Sequence, residues 1–230
     1  MSRFELLSQD KLSASPSSRD GISPKEENDL RVSTCTFIRT LCKSLDLKSY
    51  VVYTACVFLQ RFYSIQSYKS HDRFIIAAGC CFLAAKVEES FRKPDDIANQ
   101  FFVIHPNNEV SSIPDIKMKV LLAERIILNV LSFDLIVEQP YSTMMVLSQQ
   151  LQLNEKALQA AWRFANDSTV TPVAIMYTEK TIAAACIYLA ITGYNCIPLK
   201  DALPVLLTGS GSDQTSFMNC VHTLKALYPD

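Results

Sequence analysis

The cysteines and histidines are the residues of this sequence whose chemistry suits metal ligation or nucleophilic attack. The eight cysteines include no Cys-x-x-Cys spacing, and the three histidines lie apart from them. Because zinc sites and catalytic clusters depend on such groupings, we expect no catalytic residue, no metal site and no cofactor. Most of the cysteines fall within apolar helical patterns and are expected to be reduced, buried thiols. They are Cys35, Cys42, Cys56, Cys80, Cys81, Cys186, Cys196 and Cys220.

Two charged residues, Lys86 and Glu124, interrupt apolar helical stripes. Glu124 lies among apolar residues at helical spacing within 120–128, where a carboxylate is costly unless it is paired. Lys86 follows Phe82 and Leu83 at spacings of four and three, at the end of a buried face. An ion pair between Lys86 and Glu124 satisfies both groups. It is either a purely internal salt bridge or a pair that stays available at a surface, and the pattern leaves both interpretations open.

The composition disfavours several classes of protein. The formal net charge is −1 and no basic stripe stands out, which argues against a primary nucleic-acid binder. The longest apolar run, residues 75–85, is too short to cross a bilayer, and the N-terminus has no apolar secretory segment. We therefore expect a soluble intracellular chain with no membrane, direct nucleic-acid or small-molecule partner.

Helical periodicity runs through most of the chain, and no stretch alternates with period two for long enough to compete as a strand. Five helices are predicted before Phe133 and five after it. The first five cover about 24–45, 49–65, 70–88, a short segment from 94, and 114–132. The second five cover about 140–151, 154–167, 178–191, a segment after 198, and a last one that ends near 228.

The two halves of the chain repeat each other at their centres. Residues 76–84 read Ile-Ala-Ala-Gly-Cys-Cys-Phe-Leu-Ala, and residues 182–190, at an offset of 106, read Ile-Ala-Ala-Ala-Cys-Ile-Tyr-Leu-Ala. Small side chains let other helices approach closely, so each run is expected to be the central helix of its half. The predicted fold is therefore all-α, with two tandem five-helix repeats. We place a flexible Ser-rich tail at 1–24, the first repeat at 25–137 and the second at 138–230.

The Ser-rich tail contains two Ser-Pro pairs, Ser15-Pro16 and Ser23-Pro24. The second pair is typical of a helix start, with Ser as the N-cap and Pro at the first helical position. Proline-directed kinases phosphorylate such pairs, and plain turn chemistry is the alternative explanation.

The two repeats differ at the ends of their central helices. The first continues as Lys86-Val-Glu-Glu-Ser90, and the second as Thr192-Gly-Tyr-Asn-Cys196. Charged residues therefore follow the buried helix in the first repeat alone, and we expect the functional surface there.

Several of these segments resemble the cyclin family. Residues 83–89, Leu-Ala-Ala-Lys-Val-Glu-Glu, resemble the signature of the cyclin box. Residues 61–67 are similar to the matching segment of cyclin T, and residues 124–135 to the end of the fifth helix of that box. The runs 157–167 and 182–190 resemble a cyclin T second repeat. The resemblance covers about residues 25–200 and points to the transcription-type cyclins, such as cyclin T and cyclin K.

The resemblance implies two cyclin boxes and a non-catalytic subunit that binds and activates a transcription-type cyclin-dependent kinase. It also implies a nuclear location and a role in RNA polymerase II phosphorylation and transcription elongation. In the family, the motif lysine and the fifth-helix glutamate pair and contact the kinase beside its C-helix; here these are Lys86 and Glu124. Glu89, Phe133 and Leu135 belong to the same kinase-binding surface by similarity.

One departure concerns substrate docking. Cell-cycle cyclins carry a Met-Arg-Ala-Ile-Leu patch on the first helix, and the matching residues 30–34 here are Leu-Arg-Val-Ser-Thr. The docking function is therefore not implied. In those cyclins the arginine pairs with an aspartate; because the matching residue here is Gln60, we expect a hydrogen bond between Arg31 and Gln60.

Two other functions are compatible with a pair of cyclin folds. A transcription factor of the TFIIB type uses them to bind DNA, but it needs a basic face and usually a zinc ribbon, and neither is visible. A helical scaffold without a kinase partner is the other alternative.

Overall fold

The structure is a computed structural model that describes residues 4–105 and 112–228. Every regular element in these ranges is an α-helix, and the chain divides into two compact units, Met1–Val137 and Glu138–Asp230. The first unit contains α1 Gln9–Ser13, α2 Pro16–Arg19, α3 Pro24–Ser44, α4 Ser49–Ile65, α5 Arg73–Val87, α6 Pro94–Ile104 and α7 Ile113–Val130. The second contains α8 Tyr141–Gln150, α9 Glu155–Ser168, α10 Val173–Met176, α11 Glu179–Tyr194, α12 Leu199–Ser210 and α13 Gln214–Lys225.

The predicted all-α fold of two five-helix repeats is confirmed. The helices α3 to α7 form the first repeat, and α8, α9, α11, α12 and α13 form the second, with the short α10 inserted before α11. Local capping explains several of the helix starts. The Ser23 side chain accepts a hydrogen bond from the Glu26 N–H ahead of α3, and the Asp72 side chain accepts one from the Phe74 N–H ahead of α5.

The two alanine-rich helices are central, as predicted. In the first unit α5 contacts α3, α4, α6 and α7, and in the second α11 contacts α8, α9, α12 and α13. Residues 76–85 of α5 are all buried. A helix that is apolar on all sides lies in the interior, so the other four helices of each repeat pack around it.

Gly79 sets the distance between α5 and α7. A Cβ atom at this position would lie 2.9 Å from Ala123 Cβ and 2.9 Å from Ile127 Cδ1.

We therefore expect Gly79→Val to lower the free energy of unfolding by about 1–3 kcal/mol, because the core has no room for the added atoms. Urea denaturation measures this change. Gly193→Val in α11 is the matched control, since a Cβ there meets nothing within 4 Å. Equal losses in the two variants would contradict the close packing.

The cysteines are free thiols, and seven of the eight are buried, with Cys196 half-buried. Burial raises the pKa of the Cys80 and Cys186 thiols well above the usual range.

Because the thiolate is the reactive form, we expect a thiol reagent at pH 7 to modify Cys196 first and the others only after unfolding. Mass spectrometry of the native chain, beside a Cys196→Ser control, tests this. Rapid labelling of the control variant would show that the core opens readily.

The predicted flexible tail over residues 1–24 is corrected for the part that the structure describes. Two short helices, α1 and α2, form there, and α2 contacts α3 and α4. Ser15 and Ser17 are buried, with 4% and 0% of their surface exposed. A Ser-rich composition indicates disorder only when the hydroxyl groups stay in water, and these two form hydrogen bonds in the interior. Residues 1–3 of the predicted tail lie outside the described residues.

Candidate functional site

The predicted ion pair between Lys86 and Glu124 is formed. Lys86 lies in the last turn of α5 and Glu124 on α7. The Lys86 Nζ donates hydrogen bonds to both carboxylate oxygens of Glu124, at 2.7 and 2.9 Å. The Lys86 side chain is 37% exposed and the Glu124 side chain 12%. The pair therefore joins the two helices and also presents a cation at the surface.

The local environment stabilises this pair. The Lys86 Nζ lies 4.0 Å from the centre of the Phe82 ring, whose negative face attracts a cation. Glu124 is almost completely buried, so its carboxylate depends on Lys86 for a counter-charge. Removal of Lys86 would leave a buried charge without compensation.

The loop that follows α5 contains Glu89 in an unusual backbone conformation. Glu89 has a φ of 52° and is exposed, and its N–H donates to the Lys86 carbonyl at 3.2 Å. The residue at the same place in the second repeat, Asn195, has a φ of 47°. Asparagine tolerates this left-handed region, whereas glutamate adopts it at a cost. The turn is therefore shared by both repeats, and the first repeat holds a charged residue in it.

The neighbouring residue, Glu88, ties this loop to α4. Its carboxylate accepts a hydrogen bond of 2.6 Å from the Thr54 hydroxyl. Arg92 fixes the far side of the loop, because its guanidinium donates to the Leu45 carbonyl at 2.8 Å and to the Asp46 carbonyl at 3.0 Å. The contacts of Arg92 could not be predicted from the sequence, since backbone acceptors leave no pattern in it.

The segment that follows α7 presents Phe133 to the surface. Ser132 and Phe133 both have positive φ, of 49° and 59°, and the Phe133 N–H donates to the Leu128 carbonyl at 3.0 Å. This turn leaves the Phe133 side chain 66% exposed. Leu135 is half-buried two residues later.

Arg61 holds this segment in place, and sequence reasoning did not assign it a role. It lies on α4, is 6% exposed, and donates to the Ile136 carbonyl at 3.0 Å and the Asp134 carbonyl at 3.4 Å. The signal for it was an arginine within the apolar stretch 51–63. A buried guanidinium needs several acceptors, and here they are the backbone of the segment that carries Phe133 and Leu135.

Four of the five predicted site residues lie at or just beyond the C-terminal ends of α5 and α7, and Glu124 lies within α7. Lys86 and Glu124 contact each other directly. Glu89 lies on the loop after α5, and Phe133 and Leu135 lie on the segment after α7, the two helices that the ion pair joins.

The corresponding place in the second repeat is built differently. Thr192 replaces the lysine, and its hydroxyl donates within α11 to the Tyr188 carbonyl at 3.0 Å. A cavity of about 380 Å³ lies there; its lining residues are Ile191, Thr192, Asn195, Ile197, Pro198 and Leu199. The charged pair therefore belongs to the first repeat alone at this position.

The predicted bond between Arg31 and Gln60 is replaced by contacts within α3. The Arg31 guanidinium donates to Asn28 Oδ1 at 3.1 Å and lies 3.8 Å from the Glu27 carboxylate. Both partners lie within one turn of Arg31, so the helix itself satisfies the arginine.

Neither a metal centre nor a membrane span is found in the described ranges. No group of three or more His, Cys, Asp or Glu side chains there is arranged to hold a metal ion. Among the helices of residues 4–105 and 112–228, none has the length and apolar character to cross a bilayer.

Comparisons with known proteins bear on the same residues. Residues 3–136 match the family model described as the cyclin N-terminal domain. Cyclin pch1 of Schizosaccharomyces pombe is 32% identical over 235 residues, covering 97% of this chain and 68% of that protein. Cyclin-T1-3 of Oryza sativa subsp. japonica is 37% identical over 184 residues, covering 76% of this chain. The chain therefore belongs to the cyclin family, among its transcription-type members.

A solved structure shares the whole fold. A chain of the yeast RNA Pol II CTD kinase CTDK-1 complex aligns with a TM-score of 0.81 at 19% sequence identity, covering 99% of this chain and 74% of that chain. At this identity the likeness concerns the fold. The chain spans less than half the length of some curated relatives, 38% of the rice cyclin and 46% of Cyclin-L1 of Danio rerio.

Proposed function

We propose that this chain is a non-catalytic regulatory subunit that binds and activates a cyclin-dependent kinase. The observation that carries the proposal is the Lys86–Glu124 pair, which joins α5 and α7 and presents a partly exposed cation backed by a buried carboxylate. The proposal assigns binding to the first repeat through Lys86, Glu89, Glu124, Phe133 and Leu135.

Activation follows from what a protein kinase needs. An active kinase requires an ion pair between a lysine that positions ATP and a glutamate on its C-helix. A partner that binds only the conformation with the C-helix in place shifts the population towards it. The cyclin needs no reacting group of its own for this effect.

The apolar and the charged residues of the proposed kinase-binding surface have different roles. Phe133 offers a large apolar side chain that a kinase can bury, and such aromatic anchors contribute most of the affinity of an interface. Lys86 and Glu124 fix the relative position of the two proteins, because charged groups act mainly on specificity and orientation.

The proposed substrate of the pair is the carboxy-terminal domain of RNA polymerase II, which implies action in transcription elongation and in the nucleus. The support is the fold neighbour named as an RNA Pol II CTD kinase complex, together with relatives named as cyclins T and L.

Affinity purification from a nuclear extract, followed by identification of bound kinases and assay on a peptide of the polymerase repeats, tests this function. We expect a cyclin-dependent kinase to co-purify and to phosphorylate the peptide, while the purified chain alone transfers no phosphate. Recovery of no kinase would overturn the proposal in favour of a scaffold. Salt-dependent binding to DNA instead would favour the TFIIB-type alternative.

A further inference from the structure

The segment 8–22, which we call the N-terminal strap, is docked on the first unit by buried serine side chains. The Ser15 hydroxyl donates a hydrogen bond of 2.6 Å to a carboxylate oxygen of Glu27. The Ser17 hydroxyl accepts one of 3.1 Å from the Tyr68 N–H.

Helix α1 of the strap has no buried residue. The strap ends at Ile22, which is 5% exposed, and the Lys69 Nζ donates to the Asp20 carbonyl at 2.6 Å. Between α1 and these contacts, the buried groups that hold the strap are the two serine hydroxyls, and polar contacts of this kind are sensitive to added charge.

Ser15 combines this buried contact with a kinase recognition motif. It precedes Pro16, caps α2, and has extended backbone angles of −60° and 159°. Ser23 has the same arrangement, since it precedes Pro24, caps α3, and has angles of −67° and 153°. The two sites differ in exposure, because Ser15 is buried whereas Ser23 is exposed. The chain thus offers two matched Ser-Pro sites, one of which is buried where the strap docks.

We propose that Ser15 is a phosphorylation site for a proline-directed kinase and that its modification releases the strap. The kinase transfers the γ-phosphoryl group of ATP to Ser15 Oγ. The bond between that phosphorus and the oxygen of the leaving ADP breaks, the new P–Oγ bond forms, and the hydroxyl proton passes to the catalytic base of the kinase. Because Ser15 is 4% exposed, the transfer takes place in the undocked state.

The electrostatics of the docked state explain the release. A phosphate adds a charge of about −1.5 to −2 at neutral pH, and it would meet the Glu27 carboxylate, which is 7% exposed. Phosphorylation also removes the Ser15 hydroxyl proton, so the hydrogen bond that Ser15 donates to Glu27 is lost. Arg31 is the nearby cation, but it already contacts Glu27 at 3.8 Å and Asn28 at 3.1 Å. A docked phosphate and the Glu27 carboxylate would therefore share one arginine, and this like-charge repulsion favours the released strap.

Phosphorylation of Ser23, in contrast, is expected to leave the strap docked. The phosphate would lie in water at the N-terminus of α3, a 21-residue helix, where negative charge is favourable. The strap contact between Ser15 and Glu27 would remain intact. Ser23 is therefore a control that shares the motif and the capping role but not the burial.

The test uses the full chain, a purified proline-directed kinase, ATP, and amide hydrogen exchange of residues 18–22 and Tyr68. In the wild type we expect Ser15 to be modified more slowly than Ser23. In the Ser23→Ala variant, where Ser15 is the remaining Ser-Pro site of the strap region, phosphorylation should raise the exchange rate of the strap amides by about tenfold or more. This is the effect expected from the loss of a charge-assisted hydrogen bond and from the added repulsion.

Three variants separate the proposed cause from general destabilisation. Ser15→Glu should release the strap as the phosphate does, and adding Glu27→Gln should restore part of the protection, whereas Ser23→Glu should leave it unchanged. The proposal is overturned if Ser15 is not modified in the folded chain, or if the phosphorylated chain keeps the exchange protection of the unmodified one. Both readouts are independent of the partner kinase of the proposed function.

Discussion

Lys86→Glu is expected to weaken binding of the partner kinase by about 2–5 kcal/mol, the range found when a hydrogen-bonded charge is lost from a protein–protein interface. The substitution removes the cation of the surface and places a second carboxylate beside Glu124, whose side chain is 12% exposed. Isothermal titration calorimetry with the purified kinase measures the change.

Lys117→Glu is the matched control for this substitution. Lys117 lies on α7, the helix of Glu124, and pairs with Asp95 at 2.8 Å, but both of these side chains are at least 36% exposed. Exposed pairs contribute about 0–1 kcal/mol, so the control should bind the kinase almost as the wild type does. Equal affinities for the two variants would show that Lys86 has no special role.

Phe133→Ala is expected to lower kinase affinity by about 2–4 kcal/mol while leaving the fold intact. The side chain is 66% exposed, so the isolated chain loses little packing, whereas a buried aromatic anchor dominates an interface. The affinity for the kinase and the free energy of unfolding are to be measured on the same preparation.

Met118→Ala provides the comparison for Phe133. Met118 is also 66% exposed, and it lies on the same helix, α7, that precedes the Phe133 turn. It is not among the residues assigned to the kinase-binding surface, so we expect its affinity change to stay below about 0.5 kcal/mol. A loss that is as large for Met118 as for Phe133 would move the interface to the outer face of α7.

Those features that depend on periodicity and burial could be predicted from the sequence. The repeated alanine-rich runs identified α5 and α11 as central helices, because a helix that is apolar all round has to be interior. The Lys86–Glu124 pair was predictable for a related reason. A carboxylate in an apolar stripe requires a partner, and the lysine at the end of the adjacent buried run supplied one.

Contacts between a side chain and distant backbone could not be predicted. Arg61 donates to a carbonyl 75 residues away, and no pattern of side chains marks an acceptor of that kind. The sequence also gives no sign of the positive φ at Phe133, which turns the ring outward. Glycine is the usual marker of positive φ, and the turn contains none. The docked strap was missed because a composition rich in serine gives no sign of which hydroxyl groups find buried acceptors.

The double variant Lys86→Glu, Glu124→Lys distinguishes a kinase-binding pair from a purely internal salt bridge when kinase affinity and the free energy of unfolding are measured on the same preparation. The swapped residues can re-form the pair that now spans 2.7 Å, so we predict that the double variant is more stable than Lys86→Glu alone. It remains less stable than the wild type, because the Phe82 ring then faces a carboxylate and no longer a cation. Kinase affinity should remain at least about tenfold weaker, because the kinase meets the charges in reversed positions. Full kinase affinity in the swapped chain would show instead that the pair is an internal salt bridge only.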